Sequence, residues 1–233
     1  MTLDQIASRL STAFSETFAD WGTIFKILMQ GIGYTLAVFA VTIVLSIPLG
    51  LLLTFASRSR IAPLRWLTRG YVFVIRGTPL MLQLFFVYFG LPFLPVIGPY
   101  LKLGRLAAAN IAFVLNYAAY FCEIFRGGLL SIDRGQYEAA KVLGFGRFRT
   151  MMQIILPQMI KVALPSVANE TITLVKDTAL VSVIGLSDLM ELSKKLVNSM
   201  VNVTPYIIAA IIYLVLIFGL TKLFEQLEKK AAY

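Results

Sequence analysis

Four ionisable side chains stand inside stretches that are otherwise apolar: Glu123, Glu170, Lys176 and Asp177. A charge within a bilayer costs roughly 2.5–3.5 kcal/mol on insertion scales, so such residues mark binding or passage of a polar species by default. At 100° per residue, Asn169, Glu170, Thr173, Lys176 and Asp177 fall within an arc of about 120°, and Ile172, Val175 and Ala179 lie outside it. A polar stripe opposite an apolar face suits a helix that lines a wet cavity. It also suits a contact between two spans in which polar groups satisfy one another. Asn116, Tyr120 and Glu123, at i, i+4 and i+7, share a second polar face. Glu123 and Arg126 are three apart there and are spaced to pair. Arg76 opens a further apolar stretch as a flanking charge, and Gln83 lies seven residues on, on the same face.

The rest of the inventory removes catalysis. The chain has no histidine and one cysteine, Cys122, which excludes imidazole zinc sites, His-dependent triads and an internal disulfide. No GxxxxGK[ST] phosphate loop is present, so ATP is not bound by that route. No catalytic residue and no metal site is expected.

The elements that must hold these residues are membrane spans. Of 233 residues, 58% are hydrophobic and 14% charged, against roughly 45–50% and 25% in soluble domains. A spanning helix needs about 20 mostly apolar residues, and five stretches qualify: Ile24 to Phe55, Tyr71 to Leu94, Leu106 to Phe125, Ile155 to Gly185 and Pro205 to Phe224. Pro48, Pro79 and Pro165 lie in or near spans, where they can kink a helix. The fold class is therefore all-α integral membrane with five transmembrane helices.

Net charge is +9, and its placement sets orientation. Ala56 to Gly70, Arg126 to Gln153 and the C-terminal tail hold 12 basic residues; the alternate connections and the N-terminal segment hold 5. The positive-inside rule then puts the N-terminus outside and the C-terminus in the cytoplasm. These loops account for the basic balance without invoking nucleic acid. Residues 1–22 carry Ile6, Leu10, Phe14, Phe18 and Trp21 near helical spacing, which predicts an amphipathic leader helix in the outer interface. Residues 23–233 form one domain, with no internal repeat.

The second basic loop reads SIDRGQYEAAKVLGFGRFRTMMQIILP, Ser131 to Pro157. Asp133 and Gln136 predict a helix N-terminus with a reciprocal cap, and Gly144 a stop. Tyr137, Ala139, Ala140, Val142 and Leu143 would offer a partner close approach and apolar contact, and Glu138 a charge. As a mere connector, the same alanines would simply favour helix.

Glu138, Ala139, Ala140, then Gly144, then Ile154, Leu156 and Pro157 fill every position of the loop motif of bacterial ABC importer permeases, which the chain resembles. RGTPLMLQLFF (Arg76 to Phe86), EIFRGGLLSIDRGQYEAAKVLG (Glu123 to Gly144) and ILPQMIKVALPSVANETITLVKDTALVSVIG (Ile155 to Gly185) look like the polar amino acid uptake branch. Cys122 in place of a small residue, and Ala179 in KDTAL where KDTSL is common, depart from that pattern.

The resemblance implies a type I-like importer permease in the bacterial cytoplasmic (inner) membrane. It implies that a coupling helix at about 133–146, through Tyr137, Glu138, Ala139, Ala140, Leu143 and Gly144, sits in a groove of a separate ATPase. Two such ATPases would bind ATP and Mg, a second permease subunit would complete the pathway, and an extracytoplasmic binding protein would deliver the solute. For an amino acid, Lys176 could meet the carboxylate, and Asp177, Glu170 or Glu123 the ammonium. Asn169, Thr173, Asn116, Tyr120 and Gln83 would line the route. The different class of reading, a structural membrane subunit of a respiratory or export complex, needs no ATPase-docking loop; nor does an intramembrane enzyme.

Overall fold

The structure is a computed structural model and describes Gln5, residues 21–96 and residues 98–231. Among them all regular structure is helical. We number the helices α1 (Trp21–Ser57), α2 (Ala62–Gly77), α3 (Leu80–Phe93), α4 (Arg105–Ser131), α5 (Arg134–Val142), α6 (Arg147–Ile184), α7 (Leu189–Met200) and α8 (Thr204–Ala231). Four of these, α1, α4, α6 and α8, are each long and apolar enough to cross a membrane, and the bent pair α2 and α3 makes a fifth crossing if counted as one span. The leader helix expected over 1–22 lies outside the described residues, apart from Gln5 and from Trp21 and Gly22, the last two of which open α1.

Helix α4 is the axis of the bundle. In its most apolar window 61% of residues are buried, against 17–22% for α1, α6 and α8. Its inward positions include Ala108, Ala109, Ala112, Ala118 and Ala119 with Phe113, Tyr117 and Phe121 between them. In lipid, where apolar burial does not drive helices together, small residues that allow close backbone approach supply the packing. Helix α1 answers with an almost unbroken stripe of small or hydroxylated residues: Gly31, Thr35, Val38, Thr42, Ser46, Gly50, Thr54 and Ser57 are all buried. A Cβ on Gly50 would lie 2.6 Å from Phe121 Cβ, so glycine is what lets α1 and α4 touch there. Thr54 Oγ1 lies 3.0 Å from the Cys122 carbonyl and 2.8 Å from that of Gly50, and donates its proton between them.

The far end of α1 is held by α7. Asp188 caps α7 by accepting from Glu191 N at 2.9 Å and Met190 N at 3.2 Å. A Cβ on Gly31 would meet the Asp188 carbonyl carbon at 2.7 Å. Ile24, Leu28, Leu189, Ile208, Ala209 and Ile212 close a second apolar cluster between α1, α7 and α8.

The stretch read as one span over Tyr71 to Leu94 is two helices meeting at 106°. Pro79 has no N–H to donate, and Thr78 and Pro79 are both extended, which removes the hydrogen bonds that would carry α2 into α3. Helix α2 also begins earlier, at Ala62, absorbing most of the basic segment that the sequence suggested was a loop. Helix α6 is likewise longer than its apolar stretch: it starts at Arg147, passes a π-helical turn at Met151–Ile155 and tightens to 3₁₀ over Thr178–Ile184. Gly185, at φ +70°, ends it.

Candidate functional site

The break between α2 and α3 leaves carbonyls that need donors, and Gln83 provides them. Its Nε2 donates to Ile75 O at 2.8 Å, Thr78 O at 3.1 Å and Thr78 Oγ1 at 2.8 Å. Its Oε1 accepts from Asn116 Nδ2 at 3.0 Å. Gln83 and Asn116 thus pin the corner to the central helix. The corner projects Arg76, Gly77, Thr78, Pro79 and Leu80 over a cavity of about 500 Å³ whose other wall is Asn116, Tyr117 and Tyr120 of α4 and Glu170, Thr173 and Asp177 of α6. That volume is in the range of small-molecule sites, roughly 300–1,000 Å³.

Its electrostatics are specific. Tyr117 Oη donates to Asp177 Oδ2 at 2.7 Å. The Arg76 guanidinium lies 5.3 Å from the centre of the Tyr120 ring and 3.5 Å from Glu123 Oε2. One cation, two carboxylates, two phenols and an amide therefore face one space. Such a set can hold a solute that carries both charges, with Arg76 to an anion and Glu170 or Asp177 to a cation.

The predicted residues divide accordingly. Asn116, Tyr120, Glu170, Thr173 and Asp177 come together around this cavity, and Gln83 braces its corner. Glu123 lies beside it, held by Arg126 at 2.9 and 2.7 Å, in a second cavity of about 550 Å³ with Ser57, Arg69, Arg76 and Gly77. Arg76 and Gly77 border both spaces. Lys176 departs from the stripe: it borders a separate, mostly apolar cavity with Met190, Tyr206, Tyr213 and Leu214. Asn169 is exposed and lines none of these three cavities. The arc of about 120° was wide enough to straddle two neighbours of α6, which is why its edges part from its centre.

Two residues of the site had weak sequence signals. Arg76 read as a flanking charge, yet the corner turns it inward. Tyr117 lies 100° from Asn116 and is buried in the core; only the fold brings it to Asp177.

Helix α5 stands at the end of the bundle. Asp133 accepts from Gly135 N at 2.6 Å, so the N-cap forms. The reciprocal partner does not: Gln136 Oε1 accepts from Gln158 Nε2 of α6 at 3.2 Å. Gly144, at φ +76°, closes the helix as a Schellman motif, with Phe145 N donating to Ala140 O at 2.9 Å and Gly144 N to Lys141 O at 3.0 Å. Ala140 is buried and Tyr137 half-buried against the bundle, whereas Glu138 and Ala139 are exposed. Val142 and Leu143 are 87% and 73% exposed. The helix therefore presents an uncovered apolar end beside an acid.

Residues 46–233 match the family model described as binding-protein-dependent transport system inner membrane component. The chain belongs to that family. Among the permease's relatives, the arginine transport system permease protein ArtQ of Bacillus subtilis (strain 168) is 40% identical over 204 residues, covering 87% of this chain and 91% of ArtQ. The octopine transport system permease protein OccM of Rhizobium radiobacter is 40% identical over 220 residues, covering 89% and 86%. In three dimensions the permease resembles a chain from the crystal structure of an amino acid ABC transporter with histidines, with TM-score 0.80, 32% identity and coverage of 99% and 100%. The fold is that of an ABC importer permease, and the protein is a multi-pass inner-membrane transport component.

Proposed function

We propose that this permease passes polar amino acids across the inner membrane by alternating access, using the cavity around Arg76, Glu170 and Asp177 as its solute site. The observation that carries the reading is the meeting of one guanidinium and two carboxylates in a cavity of about 500 Å³. Both charged ends of an α-amino acid find a partner there. In this reading Arg76 takes the carboxylate, the role that the sequence alone suggested for Lys176. Asp177, oriented by Tyr117, takes the ammonium. Relatives described as arginine, octopine and L-cystine transport permeases support the amino acid class.

The driving energy comes from two separate ATP-binding-cassette ATPases that hold ATP and Mg, since this chain lacks a phosphate loop. They act through α5, whose Glu138, Ala139 and Leu143 dock in their grooves while Tyr137 and Ala140 transmit the movement to α6. One coupling segment, about 133–146, serves one transmembrane domain, 23–233. A second permease subunit closes the pathway about a two-fold axis, and an extracytoplasmic binding protein delivers solute. The α5 face is cytoplasmic and the N-terminus external, because the basic connections lie at the α5 end.

Uptake of a panel of labelled amino acids into proteoliposomes, with the assembled importer and its binding protein, tests this. ATP-dependent accumulation of at least one amino acid is expected. An importer that hydrolyses ATP yet moves sugars or inorganic ions and no amino acid would overturn the substrate class.

A further inference from the structure

A cavity of about 880 Å³ opens where α1 and α4 leave the bundle beside α5. Arg58, Arg60, Lys141 and Arg147 line it, and no carboxylate does. Among the described residues none of these four cations belongs to an ion pair. A fifth, Arg149, lies 5.9 Å from the ring centre of Phe145 in the cavity wall. Four like charges around one space repel one another, and among the described residues no carboxylate pairs with them. Such an arrangement calls for a polyvalent or diffuse anion.

The walls also say what kind of anion. Between the cations stand Phe55, Leu129, Tyr137 and Met151, and Leu52, one turn before Phe55 on α1, is 65% exposed on the flank of the bundle. Helices α1 and α4 end at Ser57 and Ser131, so the cavity lies at the level where spanning helices reach the headgroup layer. Basic pockets between spanning helices at that level suit lipid phosphates. An amphiphile satisfies both kinds of wall: phosphate among the arginines, acyl chain along α1. A free phosphate would leave the apolar walls wet.

The face of α5 left for a protein partner lies elsewhere. At 100° per residue, with Tyr137 at zero, Lys141 lies at about 40°, whereas Val142, Ala139 and Leu143 lie at about 140–240°. A docked ATPase on that exposed face leaves the cavity open from the side.

We propose that this cavity binds the phosphate headgroup of an anionic phospholipid and so braces α5 against the ends of α1 and α6. The site is independent of the solute pathway and would stand if the solute reading failed.

The test uses the assembled importer, permease with its ATPases, in detergent. Retained phosphatidylglycerol is counted by native mass spectrometry against an excess of phosphatidylcholine. The complex is expected to retain phosphatidylglycerol selectively, and Arg58→Gln with Arg147→Gln to weaken that retention about thirtyfold. Lys229→Gln with Lys230→Gln, which removes the same charge from the tail, is expected to leave it in place. Arg60→Gln alone, expected to weaken retention about fivefold, serves if the double variant fails to assemble. Equal retention by wild type and the arginine variants would overturn the proposal. So would displacement by millimolar inorganic phosphate, which would make the ligand a free anion. Retention by the permease alone that is lost in the assembled importer would assign the cavity to the ATPase interface instead.

Discussion

Tyr117 and Asp177 form the closest polar contact across the cavity proposed to hold solute, 2.7 Å between α4 and α6. A hydrogen bond to a charged group contributes about 1.5–3 kcal/mol. Tyr117→Phe should therefore lower apparent solute affinity by about tenfold or more, while Phe retains the ring packing against Phe113 and Phe121. Concentration dependence of uptake separates this from a fall in maximal rate. Gln83 has a different role. Gln83→Leu leaves the buried Asn116 amide without this partner, at about 1–3 kcal/mol, and removes the donor that the Ile75 and Thr78 carbonyls share at the corner. A lowered melting temperature is expected, larger than for the exposed Asn169→Leu. At this scale the sequence was legible wherever polarity broke an apolar run: Asn116, Glu170, Thr173 and Asp177 stood out for that reason. Lys176 borders a different cavity from the rest of the arc, since a residue at the edge of a polar arc is assigned by which neighbour sits beside it.

Helices are where local chemistry read most clearly and where tertiary demands corrected it. Gly144 predicted the stop of α5 because a left-handed residue is needed there, and its φ of +76° agrees. Gly144→Val places a β-branched side chain in a conformation that L-residues resist by roughly 1–2 kcal/mol. Uptake should drop severalfold while ATP hydrolysis by the assembled complex persists; coupled uptake at the wild-type rate would make the loop a simple connector. Gln136 was read as half of a reciprocal cap, but a partner on α6 outbid the local backbone, which no periodicity could announce. The corner at Gly77 to Pro79 was visible only as a proline. That it turns the chain by 106° depends on Gln83 and Asn116, one of them 33 residues further along the chain.

Asp188 links α7 to α1 and gives a pH dependence. Burial pushes its carboxyl from the ordinary 3.8 up to about 6, partly opposed by the backbone N–H groups it accepts from. The folded state then binds the proton more tightly than the unfolded one. Its contribution to stability is greatest below pH 3.8 and declines as pH rises through 6, by up to about 3 kcal/mol. Asn caps a helix as well as Asp and does not titrate. Asp188→Asn should therefore match wild type in thermal stability near pH 4 and exceed it at pH 7.5. A variant less stable than wild type at pH 7.5 would show that the ionised cap is stabilising.

The whole molecule follows from lipid as solvent. Helix α1 carries most of its small and hydroxylated residues inward and Leu36, Val44, Leu45 and Leu52 outward, the reverse of a soluble amphipathic helix, so polarity contrast along it is faint. That explains why five apolar stretches were countable from the sequence while the central position of α4 was not. Alanine-rich α4 is no more apolar than α6 and less so than α1 and α8, and burial by its neighbours is what defines it. The +9 charge collects at the α5 end, where Arg58, Arg60, Lys141 and Arg147 ring a cavity. The few charges left between the helices gather instead about Arg76, where the two inner cavities meet.

That gathering is the centre of the account, and charge exchange at Asp177 tests it most directly. ATP-driven uptake of labelled amino acids into proteoliposomes is compared between wild type and Asp177→Asn, with assembly and basal ATP hydrolysis measured alongside. The prediction is a loss of uptake of about tenfold or more in complexes that still assemble and hydrolyse ATP. Unchanged uptake, at every solute concentration and for every amino acid carried, would contradict the assignment of this cavity as the solute site.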